Sequence, residues 1–248
     1  MTRIAAVGDI HVGSDSVGEV AGGLQHVNDR ADLLLLAGDL TRCGTAGEAE
    51  LVAAELAGVR IPVVAVLGNH DHHGDEPGKV VEALTRAGVT VLDGTSTTVD
   101  VHGTVIGIAG TKGFGGGFAG ACATSFGERA MKAFVDETRR EAARLHDALI
   151  GVAGRSDRTV ALLHYAPVED TLRGERLEVY PFLGCHLLAE AIDTAGADLV
   201  IHGHAHHGTE RGVTPGGIRV RNVAQPVLGH AYRVFDLRDP AAEDRSVA

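Results

Sequence analysis

The chain has 248 residues, a formal net charge of −11 and 44% hydrophobic residues. This length is sufficient for one large α/β domain or two small ones, and the composition is ordinary for a globular protein. The negative charge argues against a nucleic-acid-binding surface built from Lys and Arg, because an acidic surface repels the phosphate backbone. We therefore do not expect nucleic acid as a partner.

The cysteines and the N-terminus narrow the class of protein further. Cys43, Cys122 and Cys185 are widely spaced and form no C-x-x-C pair, which argues against a disulfide framework and a thiolate metal site. The first residues contain no apolar stretch of signal-peptide length, and no later run approaches about 18 apolar residues. These features predict a cytoplasmic protein without a membrane partner; the sequence carries no signal for its oligomeric state.

Short apolar runs, most of them ending at glycine, predict the strands. They cover residues 4–9, 33–39, 63–69, 105–110, 160–164 and 199–203. The runs are unbroken rather than alternating, as expected for strands that are covered on both faces. The sequence therefore predicts an α/β fold with largely buried strands.

Helical periods lie between several of these runs. Apolar residues recur every three to four positions over 17–27 and again over 131–149. A capping-box pattern from Ser125 to Glu128 predicts the start of the second helix and explains Ser125 without a nucleophilic role. The segments 219–224 and 231–237 alternate more and predict antiparallel strands with solvent on one side.

No linker or internal repeat divides the chain. We therefore predict one domain over residues 1–237. Residues 238–248 are polar and aperiodic, and they predict a disordered tail.

Polar residues follow the predicted strands. In open α/β sheets, ligands gather at the carboxyl ends of the strands. The polar residues at these ends are Asp9, His11, Asp39, Asn69, His70, Asp71, His164, His202, His204 and His206. Neighbouring glycines allow sharp turns and a close approach to a small ligand. Singly, each residue has an ordinary explanation as a turn or packing residue, but their recurrence at five strand ends favours one shared site.

The types of these side chains indicate metal binding. Carboxylate, imidazole and carboxamide groups without a thiolate suit Mn²⁺, Fe²⁺, Zn²⁺ or Co²⁺. Two divalent ions beside Asp9 and Asp39 leave a local charge of about +2, because the two carboxylates contribute −2 against +4. Such a centre attracts an oxyanion even though the whole chain is acidic.

The motif series resembles that of the calcineurin-like metallophosphoesterases. The motifs are DIH at 9–11, GD at 38–39, GNHD at 68–71, a single His164 and GHAH at 203–206, in this order. The resemblance spans most of the chain and is specific for fold and reaction class. It implies a four-layer α/β/β/α sandwich and a hydrolase that acts on phosphoric ester bonds.

The resemblance also implies which residues bind each metal ion and which act on the substrate. The first metal ion would take Asp9, His11, Asp39 and His206, and the second would take Asp39, Asn69, His164 and His204. The four-histidine stretch permits the pair 202/204 as well, but the family's frame selects His204 and His206 and leaves His202 in the strand. His70 would lie over the leaving group, oriented by Asp71.

The expected function is hydrolysis of a small phosphodiester or phosphomonoester, with a metal-bridging hydroxide attacking phosphorus. Two other classes stay open. A nuclease on the same scaffold is disfavoured by the acidic charge. A non-catalytic interaction module that keeps the fold would be expected to have lost ligands, whereas this chain retains the full series. The physiological ester and the identity of the metals are not determined by the sequence.

A glycine-rich loop at 111–120 contains G-x-G-x-x-G at Gly115, Gly117 and Gly120. As a dinucleotide motif it is weak, because the predicted helix begins several residues later. Two interpretations remain: a flexible connection, or a lid beside the metal site in which Phe114 or Phe118 stacks on a base or covers the ester.

Overall fold

The structure is a computed structural model that describes residues 2–237. Two β-sheets lie face to face, and helices cover the outer face of each sheet. The predicted four-layer α/β/β/α sandwich is therefore confirmed. The predicted disordered tail, 238–248, lies outside the described residues.

The strands, in chain order, are β1 (Arg3–Val7), β2 (Leu33–Ala37), β3 (Val63–Val66), β4 (Thr90–Leu92), β5 (Thr95–Val101), β6 (Thr104–Thr111), β7 (Gly117–Phe118), β8 (Ala121–Cys122), β9 (Arg158–Leu163), β10 (Leu199–His202), β11 (Arg211–Val213), β12 (Arg219–Asn222) and β13 (Arg233–Asp236). The α-helices are α1 (Glu19–Leu24), α2 (Val27–Arg30), α3 (Ala46–Glu55), α4 (Pro77–Arg86), α5 (Arg129–Ala153), α6 (Tyr180–Leu183), α7 (His186–Ala195) and α8 (Gln225–Leu228). Short 3₁₀ helices cover His70–His72, Glu169–Leu172 and Leu177–Val179.

Both large sheets are parallel at their centres. The first has the order β13-β1-β2-β3-β4, and only β13 runs antiparallel. The second has the order β11-β12-β10-β9-β6-β5, in which the edge strands β5 and β11 run antiparallel to their neighbours. Because the central strands of a sheet run the same way, their carboxyl ends meet at one edge, where ligands gather.

The unbroken apolar runs are explained by burial on both faces. In β2, Leu33 and Leu35 pack between the two sheets, whereas Leu34 and Leu36 pack against the helices. Alternate residues of a strand point to opposite faces, so two apolar environments require an unbroken apolar run. Burying a Leu side chain stabilises the fold by roughly 1.5–3 kcal/mol relative to leaving it exposed.

The outer layer over the second sheet consists of α5 and α7. Leu145 and Leu149 of α5 pack with Leu188 and Ile192 of α7 against the buried residues of β9. The spacings of four residues place each pair on one face of its helix. The helical period predicted over 131–149 is therefore confirmed.

The predicted start of α5 is wrong. The helix begins at Arg129, and its N-cap residue is Glu128, which makes no side-chain capping bond. Gly127 has a φ of +89°, a left-handed conformation that interrupts the helical path after Ser125. The capping box of this fold lies instead at Thr45, whose side chain accepts from Glu48 at the start of α3.

The prediction for 219–224 is also wrong in part. β12 is antiparallel to β11 but parallel to β10, so it lies inside the second sheet. Val220 and Asn222 are fully buried on one face, and Arg221 and Val223 are buried on the other, so neither face presents a solvent-facing row. The antiparallel strand predicted over 231–237 is confirmed as β13, which pairs with β1.

Candidate metal centre

The carboxyl ends of the central strands of the two sheets lie together at one edge of the sandwich. His164, which follows β9, donates through Nδ1 to the carbonyl oxygen of Ala37 at the end of β2, at 2.9 Å. The amide of His204 donates to the Asp9 carboxylate at 3.0 Å, which joins the loops after β10 and β1. Side chains from loops that are distant in the sequence are thereby held at one place.

The predicted ligands fall into two clusters that share Asp39. One consists of Asp9, His11, Asp39 and His206, and the other of Asp39, His164 and His204, with one potential ligand atom per residue within 4.8 Å of the others. Asn69 lies with the second cluster, where its Oδ1 is 2.9 Å from His164 Nε2. The structure thus groups the side chains as the resemblance implies, and their role as metal ligands stays a prediction.

The hydrogen bonds of His164 show what its second nitrogen offers. The Ala37 carbonyl can only accept, so Nδ1 carries the proton of the neutral ring. Burial lowers the pKa of His164 well below its usual value, which keeps the ring neutral. Nε2 therefore presents a lone pair to Asp39 Oδ1, 3.3 Å away, which is also an acceptor. Two acceptors that face each other at this distance fit a cation between them.

His11 provides a second observation of the same kind. Its Nε2 is buried and has no hydrogen-bond partner among residues 2–237. The Oδ2 atom of Asp39 lies 3.9 Å from this nitrogen, which is too far for a hydrogen bond. An unsatisfied buried nitrogen costs about 1–3 kcal/mol, and coordination to a cation would remove this cost.

Burial sets the charge of the other site groups as well. It lowers the pKa of His11 to about 4 and that of His204 to about 3, so both imidazoles are in the neutral form that ligates metals. Burial, with the charge of Asp39, raises the pKa of Asp9 to about 6. Carboxylates crowded in this way are stabilised by a positive charge, so the donor set fits divalent cations.

The backbone around the clusters is held in an uncommon conformation. Asp9, His11, Asp39 and His204 have φ values between +42° and +69°, a region that L-residues rarely adopt. Such conformations persist where the surrounding structure imposes them, and they concentrate at functional sites.

Glycine is required beside the shared carboxylate. A Cβ atom on Gly68 would overlap Asp39 Oδ1, so a larger residue would displace Asp39. We expect Gly68→Ala to weaken manganese binding by at least about tenfold, as is usual when a residue supporting a ligand is changed. Gly47→Ala in α3 is the matched control, because nothing lies within 4 Å of the added atom. Isothermal titration with Mn²⁺ measures the effect, and equal affinities in the two variants would contradict it.

The structure corrects the predicted contact between Asp71 and His70. The Nδ1 atom of His70 donates to the carbonyl oxygen of Arg42 at 2.7 Å, so a backbone group orients the ring. Asp71 is fully buried and accepts from the amides of Thr41 and Gly68, at 2.8 Å each. The side chains of His70 and Asp71 point in different directions. Asp71 connects the loops after β2 and β3 through its hydrogen bonds to Thr41 and Gly68.

His202 lies in β10, as predicted. It is fully buried and its Nε2 is 2.9 Å from Thr171 Oγ1.

The sequence did not predict one group that supports His204. The carbonyl of Phe182 accepts from His204 Nε2 at 3.2 Å, which leaves Nδ1 of His204 for a metal. No sequence signal could have shown this, because every residue carries a carbonyl.

The glycine-rich loop 111–120 is packed rather than flexible. Gly113 and residues 115–118 are buried, and the amide of Gly117 donates to Gly184 at 2.9 Å. This packing argues against a flexible connection at residues 113–118, and Phe118 cannot stack on a ligand because it is buried against Tyr180. Phe114 is half-buried and contacts Tyr165, 5.9 Å between ring centroids. A role of Phe114 as a cover for the ester stays a prediction.

No helix within residues 2–237 has both the length and the apolar character that crossing a bilayer requires.

The sequence of residues 2–208 matches the family described as calcineurin-like phosphoesterase. Because this match covers most of the chain, the protein belongs to that family and is a hydrolase acting on phosphoric esters. No protein of curated function gives a significant sequence match.

Solved structures share the fold at low sequence identity. A phosphopantetheinyl hydrolase from Mycobacterium tuberculosis has a TM-score of 0.63 and 17% identity, with 96% of this chain and 97% of that chain covered. The protein TT1561 of Thermus thermophilus has a TM-score of 0.56 and 17% identity, with 96% and 95% covered. A putative 5′-nucleotidase from Staphylococcus aureus has a TM-score of 0.57 and 15% identity, with 89% of this chain but 48% of that chain covered. At these identities the likeness shows the fold alone.

Proposed function

We propose that the domain formed by residues 1–237 hydrolyses a small phosphodiester or phosphomonoester with the help of two divalent metal ions. The observation that carries this proposal is the shared Asp39, which lies in both clusters and faces the Nε2 atoms of His11 and His164. A single carboxylate between the neutral imidazoles of His11 and His164 fits a pair of cations. The net charge of −11 supports a small substrate over a nucleic acid, because an acidic chain repels a phosphate backbone.

The residues divide between the two ions as the clusters do. Asp9, His11 and His206 would hold one ion, Asn69, His164 and His204 the other, and Asp39 both. Manganese, iron, zinc and cobalt all suit this donor set. Bound divalent ions lower the pKa of water and neutralise charge on the phosphoryl oxygens.

His70 lies beside this site without belonging to either cluster. Its ring is 4.5 Å from that of His11 and nearly perpendicular to it. Since Nδ1 donates to Arg42, the proton for the leaving group must come from Nε2, which requires the cationic ring. As the bond between phosphorus and the leaving oxygen breaks, that oxygen takes the Nε2 proton and His70 becomes neutral.

Metal removal tests the proposal directly. Protein treated with a chelator and then dialysed should hydrolyse neither p-nitrophenyl phosphate nor bis(p-nitrophenyl) phosphate, and added Mn²⁺ should restore turnover of at least one ester. The reason is that, in the proposed mechanism, the bound ions lower the pKa of the attacking water and neutralise charge on the phosphoryl oxygens. Zn²⁺ and Co²⁺ in parallel assays would rank the metals.

Three results of this assay would contradict the proposal. Full activity after verified metal removal would exclude the metal mechanism. Uptake of metal with no hydrolysis of any ester would favour a non-catalytic module. Faster cleavage of single-stranded DNA than of small esters would favour a nuclease.

A further inference from the structure

Lys112 is a half-buried lysine beside the metal centre, whereas the other two lysines, Lys79 and Lys132, are exposed. Its ammonium donates to the carbonyl oxygen of Gly113 at 3.0 Å. It also lies 4.9 Å from the ring centroid of Phe114 and 5.2 Å from that of Tyr165. Lysine is rarely buried without a reason, since its charge loses hydration.

The position of Lys112 is fixed relative to the predicted ligands. Its carbonyl oxygen accepts from the amides of His164 and Tyr165, at 3.1 and 3.0 Å. The Tyr165 ring is 4.4 Å from His204 and 5.5 Å from His164, between centroids. Tyr165 therefore contacts both the ammonium and the imidazoles of the second cluster.

The ammonium is attracted by the carboxylates of Glu141, Glu137 and Asp93, but it forms no direct ion pair with them. Across residues 2–237, no Asp or Glu oxygen forms an ion pair with Lys112. Glu141 of α5 is buried, and its carboxylate is already engaged by the amide of Gly113 at 3.1 Å and by Arg144 at 2.9 Å. A positive charge is thus left beside the site in a chain of net charge −11.

The hydroxyl of Tyr165 is also available. The side chain is only 8% exposed, and within the described part of the chain its hydroxyl has no hydrogen-bond partner. The hydroxyl oxygen is not among the fully buried atoms that lack a partner, so it reaches solvent and can donate to a bound ligand.

We propose that Lys112 and Tyr165 bind a second phosphate group of the substrate, so that the preferred ester carries one phosphate beyond the phosphoester that is cleaved. This inference rests on the proposed esterase function and names the substrate class of that site. Bound metal ions would meet the charge of the cleaved group, whereas the ammonium and the hydroxyl offer donors to another anion. Phosphate accepts well from lysine, and such charge-assisted bonds are the stronger kind.

A matched pair of chromogenic esters tests the inference. Thymidine 5′-(p-nitrophenyl phosphate) and its 3′-phosphorylated derivative share the leaving group and differ by one phosphate. With Mn²⁺ present, the wild type should prefer the 3′-phosphorylated ester in kcat/KM. Lys112→Met should lower this preference about tenfold, the worth of one charge-assisted hydrogen bond, mainly through KM. Lys79→Met, which removes an exposed ammonium paired with Glu76, should keep the wild-type preference.

Tyr165→Phe removes only a hydroxyl, and it is the second test variant, to be used if Lys112→Met does not fold. It should lower the preference about threefold or more. A wild type without preference for the additional phosphate, or folded Lys112→Met and Tyr165→Phe variants that both retain the full preference, would overturn the inference while leaving the esterase function intact. If the wild type hydrolysed neither ester nor any simpler phosphoester, the proposed function would fail and the inference with it.

Discussion

Replacing Asp39 with alanine is expected to abolish uptake of both metal ions and to lower kcat/KM for phosphoesters by at least about 1,000-fold, a loss of roughly 4 kcal/mol of transition-state stabilisation. Asp39 is the only residue common to both clusters, and its Oδ1 also accepts from the amide of His70 at 2.8 Å. Its loss therefore removes a ligand from each ion and a support of the loop after β3. Metal content by mass spectrometry and initial rates with Mn²⁺ measure the two effects.

Asp147→Ala is the control for this substitution, because Asp147 is an exposed aspartate of α5 that belongs to neither cluster. It should keep the metal content and the rate of the wild type. The conservative Asp39→Asn tests charge separately from shape and should also lose metal, since the bridging role needs a carboxylate. An Asp39→Ala protein that retained two ions and the wild-type rate would refute the assignment of the shared ligand.

Replacing His70 with glutamine is expected to lower kcat by about 100- to 10,000-fold, the usual contribution of a general acid, and to leave metal content unchanged. The ring belongs to neither cluster, so its removal takes no ligand from a metal. Glutamine cannot give up a proton, and the loss should therefore be greater for an alkyl phosphate than for p-nitrophenyl phosphate. Initial rates on the two esters provide this comparison.

His73→Gln is the matched control, since His73 is an exposed imidazole of the same loop. It should retain the rates of the wild type on both esters. An equal loss for both leaving groups in His70→Gln would show that His70 does not protonate the leaving oxygen. Loss of metal from this variant would instead identify a supporting role.

The fold could be predicted from the sequence because strands that are buried on both faces have unbroken apolar runs. Residues 33–36 are all leucine, which satisfies the two apolar faces of β2 at once. The candidate metal ligands could be predicted because each of them follows a strand. Their division into two groups was implied by the resemblance of the motif series to the family. The backbone conformation of Gly127 could not be predicted from the sequence. Its left-handed φ interrupts the capping pattern that begins at Ser125, so the helix starts later.

The support of the ligands could not be predicted, for a physical reason. The carbonyls of Ala37, Phe182 and Arg42 orient three imidazoles, yet no residue type is required to supply a carbonyl. The place of Asp71 was missed because the resemblance implied that it orients His70, whereas the turn directs the two side chains apart.

The central claim is that one carboxylate lies between two metal ions, and anomalous scattering from crystals grown with Mn²⁺ tests it most directly. We expect two anomalous peaks, each within coordination distance of the Asp39 carboxylate, one also beside His11 and the other beside His164. A single peak, or two peaks of which only one is bound by Asp39, would contradict the account.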